Sequence, residues 1–138
     1  MSAPTPKSTP AFYHHLGKLF YAVAAIDKEV RDEEFSKLQQ CVRDFWLDLD
    51  DTVDVFGEDA AYLIEIVFEG IEAFETDPEE MYQAYMDYMK THQQLFTTKV
   101  RNRILETAAA IAQSFAGLNK SELILLTQLK MDMERLDF

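Results

Sequence analysis

Apolar residues recur at helical spacing along most of the chain. Phe12, Leu16, Leu19, Phe20 and Val23 share one face of a 3.6-residue repeat and predict a first helix over about 11–26. Phe35, Leu38, Val42, Phe45 and Trp46 predict a second over about 32–47. Ala60, Ile64, Val67, Ile71 and Phe74, spaced 4-3-4-3, form the inner seam of a third over about 58–75. A fourth, over about 78–94, carries Met81, Tyr85, Tyr88, Met89 and His92, an aromatic and thioether stripe suited to core packing. Val100, Ile104, Ala108, Ile111 and Ala112 give a fifth, over about 98–115, a narrow apolar face. Leu123, Leu126, Leu129 and Met133 are expected to point inward from a sixth that ends near Arg135.

Start signals agree with these stripes. Asp77-Pro78-Glu79-Glu80 offers a capping Asp, a proline at the first helical position and acids in the first turn. Thr97 or Thr98 can cap the fifth helix, and Asn119-Lys120-Ser121-Glu122 has the form of a capping box. Three of the four prolines lie in the first ten residues, and no segment alternates apolar with polar residues over a useful length. The expectation is an all-α bundle of six helices without a sheet: a flexible tail over 1–10, then one domain over 11–138. Asp48 to Asp54 is an acidic connection whose density of Asp disfavours helix and strand alike.

The chain also echoes itself. Displaced by 88 residues, Phe12 falls on Val100, Leu16 on Ile104, Val23 on Ile111, Val30 on Leu118, Glu34 on Glu122 and Leu38 on Leu126. Helix, short hinge, helix thus occurs twice, which predicts pseudo-twofold packing of the outer pairs. The first hinge reads Ile26-Asp27-Lys28-Glu29-Val30-Arg31-Asp32-Glu33-Glu34. It resembles the recurring element of the TerB-like family, named for bacterial tellurite-resistance proteins: Ala-Asp-Gly-x-(Val/Ile)-x-x-x-Glu between two helices. Asp27, Val30 and Glu34 match, and Lys28 replaces the family glycine. In the second copy Leu118 and Glu122 match, and Phe115 stands where the family has Asp. The resemblance implies a helical bundle in a stress-response context, with an acidic metal site drawn from both halves.

Hard cations take several converging carboxylate oxygens. Asp27, Glu29 and Glu34 share one hinge, and Glu122 joins them if the halves pack as the repeat implies. These four are the candidate ligands for a divalent cation. The competing and preferred expectation is structural: Asp27 bonds the backbone amides that open the second helix, and Glu34 reaches back over them. No cofactor is then needed.

Other chemistry finds little purchase. The Glu-x-x-His elements of di-iron bundles are missing, and His14 and His15, being adjacent, face different ways. Nucleophile-elbow, phosphate-loop and dinucleotide motifs are absent, so no enzyme is expected. Cys41 lies in the stripe of Leu38, Val42 and Phe45, as a buried structural thiol would. The net charge of −12 repels nucleic acid and anionic lipid and favours a protein partner or another basic surface. With neither a signal segment nor a membrane span in the sequence, a cytoplasmic location is expected. The reading is therefore a non-enzymatic protein-interaction or scaffold module, with a metal-binding stress protein as the alternative. Homodimerisation is plausible where Tyr13, Tyr21, Tyr62 or Tyr82 reach the surface.

Overall fold

The computed structural model of the chain describes residues 9–27, 29–47, 49, 59–114 and 120–135. The tail as far as residue 8, the acidic connection apart from Leu49, and the second hinge with Phe115, Leu118 and the Asn119 cap lie outside the described residues. Six α-helices are present among the described residues: α1 Pro10–Ala25, α2 Asp32–Cys41, α3 Leu63–Ala73, α4 Pro78–Thr91, α5 Thr98–Gln113 and α6 Lys120–Arg135. No β-strand is formed there, and the fold is the all-α bundle that the periodicity predicts.

The helices begin where side chains satisfy their first amides. Thr9 Oγ1 accepts from Phe12 N at 3.4 Å as the N-cap, and Pro10 opens α1, one residue before the predicted start. Asp77 Oδ1 accepts from Glu79 N at 3.0 Å, and Thr97 Oγ1 from Val100 N at 3.2 Å. α2 is shorter than predicted. It passes into one turn of π-helix, Val42–Trp46, closed by Leu47 N donating to the Val42 carbonyl at 3.0 Å. Trp46 is fully buried there, and its indole N–H donates to Thr107 Oγ1 at 3.1 Å.

α1 is the centre. Every residue from Leu19 to Ala25 is buried, so the C-terminal half of the helix is enclosed on all sides rather than on one stripe. α3, α4 and α5 pack around it, with α2 and α6 laid against α5. The approach of α3 is set at Gly17. A Cβ there would stand 2.8 Å from Val67 Cβ and 2.9 Å from the Ile64 carbonyl oxygen, closer than carbon tolerates.

Two predicted inward residues face water. Phe74 is 84% exposed because α3 has ended: it is the C-cap, and Phe68 takes the buried place instead. Leu123 is 53% exposed because the inner line of α6 runs through Glu122, Leu125, Leu129 and Met133, so a glutamate holds the first inward position. The 88-residue offset survives in the element boundaries. α5 starts and ends 88 residues after α1, and α6 starts 88 after α2. The capping threonines Thr9 and Thr97 and the buried Glu34 and Glu122 obey the same offset.

The two helical glycines should respond oppositely to alanine. Gly17→Ala is expected to destabilise the fold by about 1–3 kcal/mol through overpacking. Gly70 has nothing within 4 Å of an added Cβ, so Gly70→Ala should be neutral or stabilising by up to about 1 kcal/mol. Urea unfolding midpoints decide the matter, and a neutral Gly17→Ala would be incompatible with the close contact.

Candidate functional site

The hinge between α1 and α2 gathers three of the four predicted carboxylates around one guanidinium. Arg31 Nη1 lies 3.0 Å from Asp27 Oδ2 and 3.8 Å from Glu34 Oε1, and Nη2 lies 3.4 Å from Glu29 Oε2. Glu34 Oε1 also accepts from Arg31 N at 2.9 Å, which closes the opening turn of α2 as expected. Asp27 also braces the hinge before α2 begins. Its Oδ1 accepts from Glu29 N at 3.1 Å.

Glu122, from the start of α6, completes the set electrostatically. Glu34 and Glu122 are 1% and 2% exposed, each in the first turn of its helix. Burial pushes the Glu34 carboxyl up to about 7, with repulsion from Glu122 and Asp27 adding to it, while the Arg31 amide and guanidinium pull it back. Burial and repulsion from Asp27 raise Glu122 to about 7 as well, again opposed by Arg31. The repulsion of Glu34 and Glu122 is mutual and falls on whichever ionises second. Arg31 in turn is held above its ordinary value, first by its hydrogen bond to Asp27.

This arrangement suits a guanidinium better than a metal ion. One observation favours a cation: Glu34 Oε2 is buried and accepts no hydrogen bond. Against it, Asp27, Glu29 and Glu34 converge on Arg31. A metal at the hinge would have to displace the guanidinium.

The histidines make a different structure from any expected. His15 and His92 sandwich Tyr88, with ring centroids 4.1 and 4.0 Å apart and planes within 14° of parallel. The His92 half follows from the four-residue step after Tyr88, whereas the His15 half needs the packing of α1 on α4. His14 lies outside this sandwich, and partial desolvation lowers the basicity of both His14 and His15, with Lys18 adding to it. Cys41 is buried, which raises its thiol pKa and suits an inert structural role.

Two outward surfaces are apolar. α6 exposes Leu123, Ile124 and Met131. Next to them a groove of about 530 Å³ lies between α4 and α6, with Tyr82, Ile124 and Leu125 among its lining. Tyr82 donates to Asp132 Oδ2 at 2.6 Å. α3 and the turns at its ends expose Tyr62, Ile66 and Phe74. Of the four tyrosines considered for self-association, Tyr62 is exposed, and Tyr13, Tyr21 and Tyr82 are buried. No helix among the described residues is long and apolar enough to cross a membrane. No protein-family model, curated protein or solved structure matches this chain.

The raised carboxyls give stability a definite pH dependence. In the unfolded chain Glu34 and Glu122 ionise near 4.5, and in the fold near 7, so between these values the folded state binds more protons. Their contribution is complete below 4.5 and is lost as pH rises through 7. Melting temperature should therefore rise as pH falls from about 8 to about 5.5, and Glu34→Gln should flatten that slope. Arg31→Met should lower the melting temperature more at the higher pH, where the acids are charged. Chelator should leave the parent unmoved, because the Arg31 guanidinium occupies the place a cation would take among Asp27, Glu29 and Glu34. A parent whose stability climbs with pH across this window would rule out the buried pair.

Proposed function

We propose that this chain is a TerB-like protein-interaction module, acting in the cytoplasm in a stress-response setting and without catalytic chemistry of its own. The observation that carries the reading is the set of large apolar side chains left in water on two helices: Tyr62, Ile66 and Phe74 at α3, and Leu123, Ile124 and Met131 on α6. Single exposed apolar residues are ordinary, but runs along a helix face are what partner proteins cover. The TerB-like part rests on Asp27, Val30 and Glu34 at the hinge and on the 88-residue echo of helix boundaries and buried glutamates.

A second reading, a divalent cation held by Asp27, Glu29, Glu34 and Glu122, draws on the unbonded Glu34 Oε2. It needs Arg31 to leave the acids. Calcium or manganese raising the melting temperature of the parent, with no effect on Asp27→Asn, is the result that would favour it.

The interaction reading is tested by photo-crosslinking in the native cell, with the reactive side chain placed at Ile66 or Ile124. A discrete adduct with another protein is expected from one or both positions, and none from Lys99, an exposed residue of α5. Absence of adducts at both apolar positions would remove the proposal.

A further inference from the structure

The outward face of α3 carries a line of residues that the fold does not use. Tyr62, Ile66, Gly70 and Ala73 follow one another at helical steps of four, four and three, and all are exposed. They lie opposite Ile64 and Phe68, the residues that α3 buries against the rest of the bundle. Tyr62 and Ile66 are 40% and 59% exposed, and Phe74, 84% exposed, stands at the end of the line.

Gly70 is the second observation. Glycine inside a helix costs about 1 kcal/mol relative to alanine, so it needs a reason. At Gly17 the reason is internal, since Val67 and Ile64 fill the space. At Gly70 there is no internal reason, for an added Cβ would meet nothing within 4 Å. The missing side chain leaves a notch between Ile66 and Ala73 on the outer surface, where another backbone can come close.

Charge selects what comes. From Asp44 to Met89 the sequence has 15 Asp and Glu and no Lys or Arg, whereas the remainder has 10 acidic and 13 basic residues. Arg43 lies near Glu65, and the exposed Glu69 and Glu72 remain along the helix, with the exposed Glu75 in the turn beyond it. A second α3 laid on this face would set glutamates against glutamates, and an anionic bilayer would be repelled in the same way. A helix with lysine and arginine beside an apolar stripe satisfies both the face and its edges.

We propose that the outward face of α3 docks an amphipathic helix of a partner protein, its apolar stripe seated on Tyr62, Ile66 and the Gly70 notch and its flanking lysines and arginines paired with the glutamates of α3. The proposal rests on the interaction reading above and deepens it by naming the surface and the partner's chemistry.

The test titrates the full chain with three labelled peptides of about 18 residues, five helical turns. One has an apolar stripe flanked by lysine, one has the same stripe flanked by glutamate, and one is a scramble of the lysine peptide. Saturable binding is expected of the first peptide alone, weakening with salt. Ile66→Glu and Gly70→Leu should each reduce its affinity about tenfold or more. Gly70→Leu should do so without lowering the melting temperature, since its side chain enters open space. Ile124→Glu, on α6, should bind as the parent does. Equal binding of the scramble, binding indifferent to Ile66→Glu and Gly70→Leu, or no binding of the lysine peptide would each overturn the proposal. So would self-association of the chain abolished by Ile66→Glu, which would make the occupant a second copy. Loss of binding in Ile124→Glu alone would move the site to α6, overturning this surface while sparing the interaction reading. Failure of that reading is seen separately, as cells that give no adduct at either position.

Discussion

The contact at Gly17 sets the geometry on which the other helices depend. There the Ile64 carbonyl and Val67 occupy the space a side chain would fill, so α3 rides directly on the backbone of α1. Close approach of this kind fixes both separation and rotation. With Ile64 and Phe68 committed to the interior, Tyr62, Ile66, Gly70 and Ala73 can only face outward. α1 pays for its central place in polar residues: from Leu19 to Ala25 it has none that needs water, apart from the hydroxyl of Tyr21, which donates to the Thr76 carbonyl at 2.7 Å. One helix thus joins the core, the orientation of α3 and the surface that α3 presents.

The hinge follows from the same enclosure. Ala25 is buried and Asp27 is only partly exposed, so the chain leaves α1 with its acids close to the interior. Glu34 and Glu122 are drawn inward as opening residues of α2 and α6, where helix-start amides and dipoles favour a carboxylate but desolvation opposes its charge. Arg31 resolves part of that conflict locally, reaching Asp27, Glu29 and Glu34 from within the same hinge. The arrangement is stabilising as a cap and frustrated as a cluster of acids, and that tension is what shifts the two glutamates toward neutrality.

Helix number, the caps at Asp77 and Thr97 and most of the core were legible in the sequence, because 3.6-residue periodicity and capping chemistry are local signals. What was not legible depended on where helices stop and on what faces them. Phe74 fits the inner seam by spacing, yet α3 ends at Ala73 and releases it. Leu123 looks like core beside a charged Glu122, yet Glu122 is the one turned inward, as its counterpart Glu34 is. The hinge carboxylates were found as a group because they lie within eight residues, but the central role of Arg31 was not, since an arginine among acids reads equally as a solvated charge. The sandwich of Tyr88 by His15 and His92 joins α1 to the end of α4 and leaves only its four-residue half in the sequence.

The claim that Gly17 orients α3 is tested most directly by nuclear Overhauser contacts in the methyl-labelled protein. The account predicts strong contacts from the Gly17 α-protons to the Val67 methyls and none from the Ile66 methyls to any residue of α1. Contacts from Ile66 to α1, with Val67 facing solvent, would mean that α3 is rotated and that its outward face is not the one described.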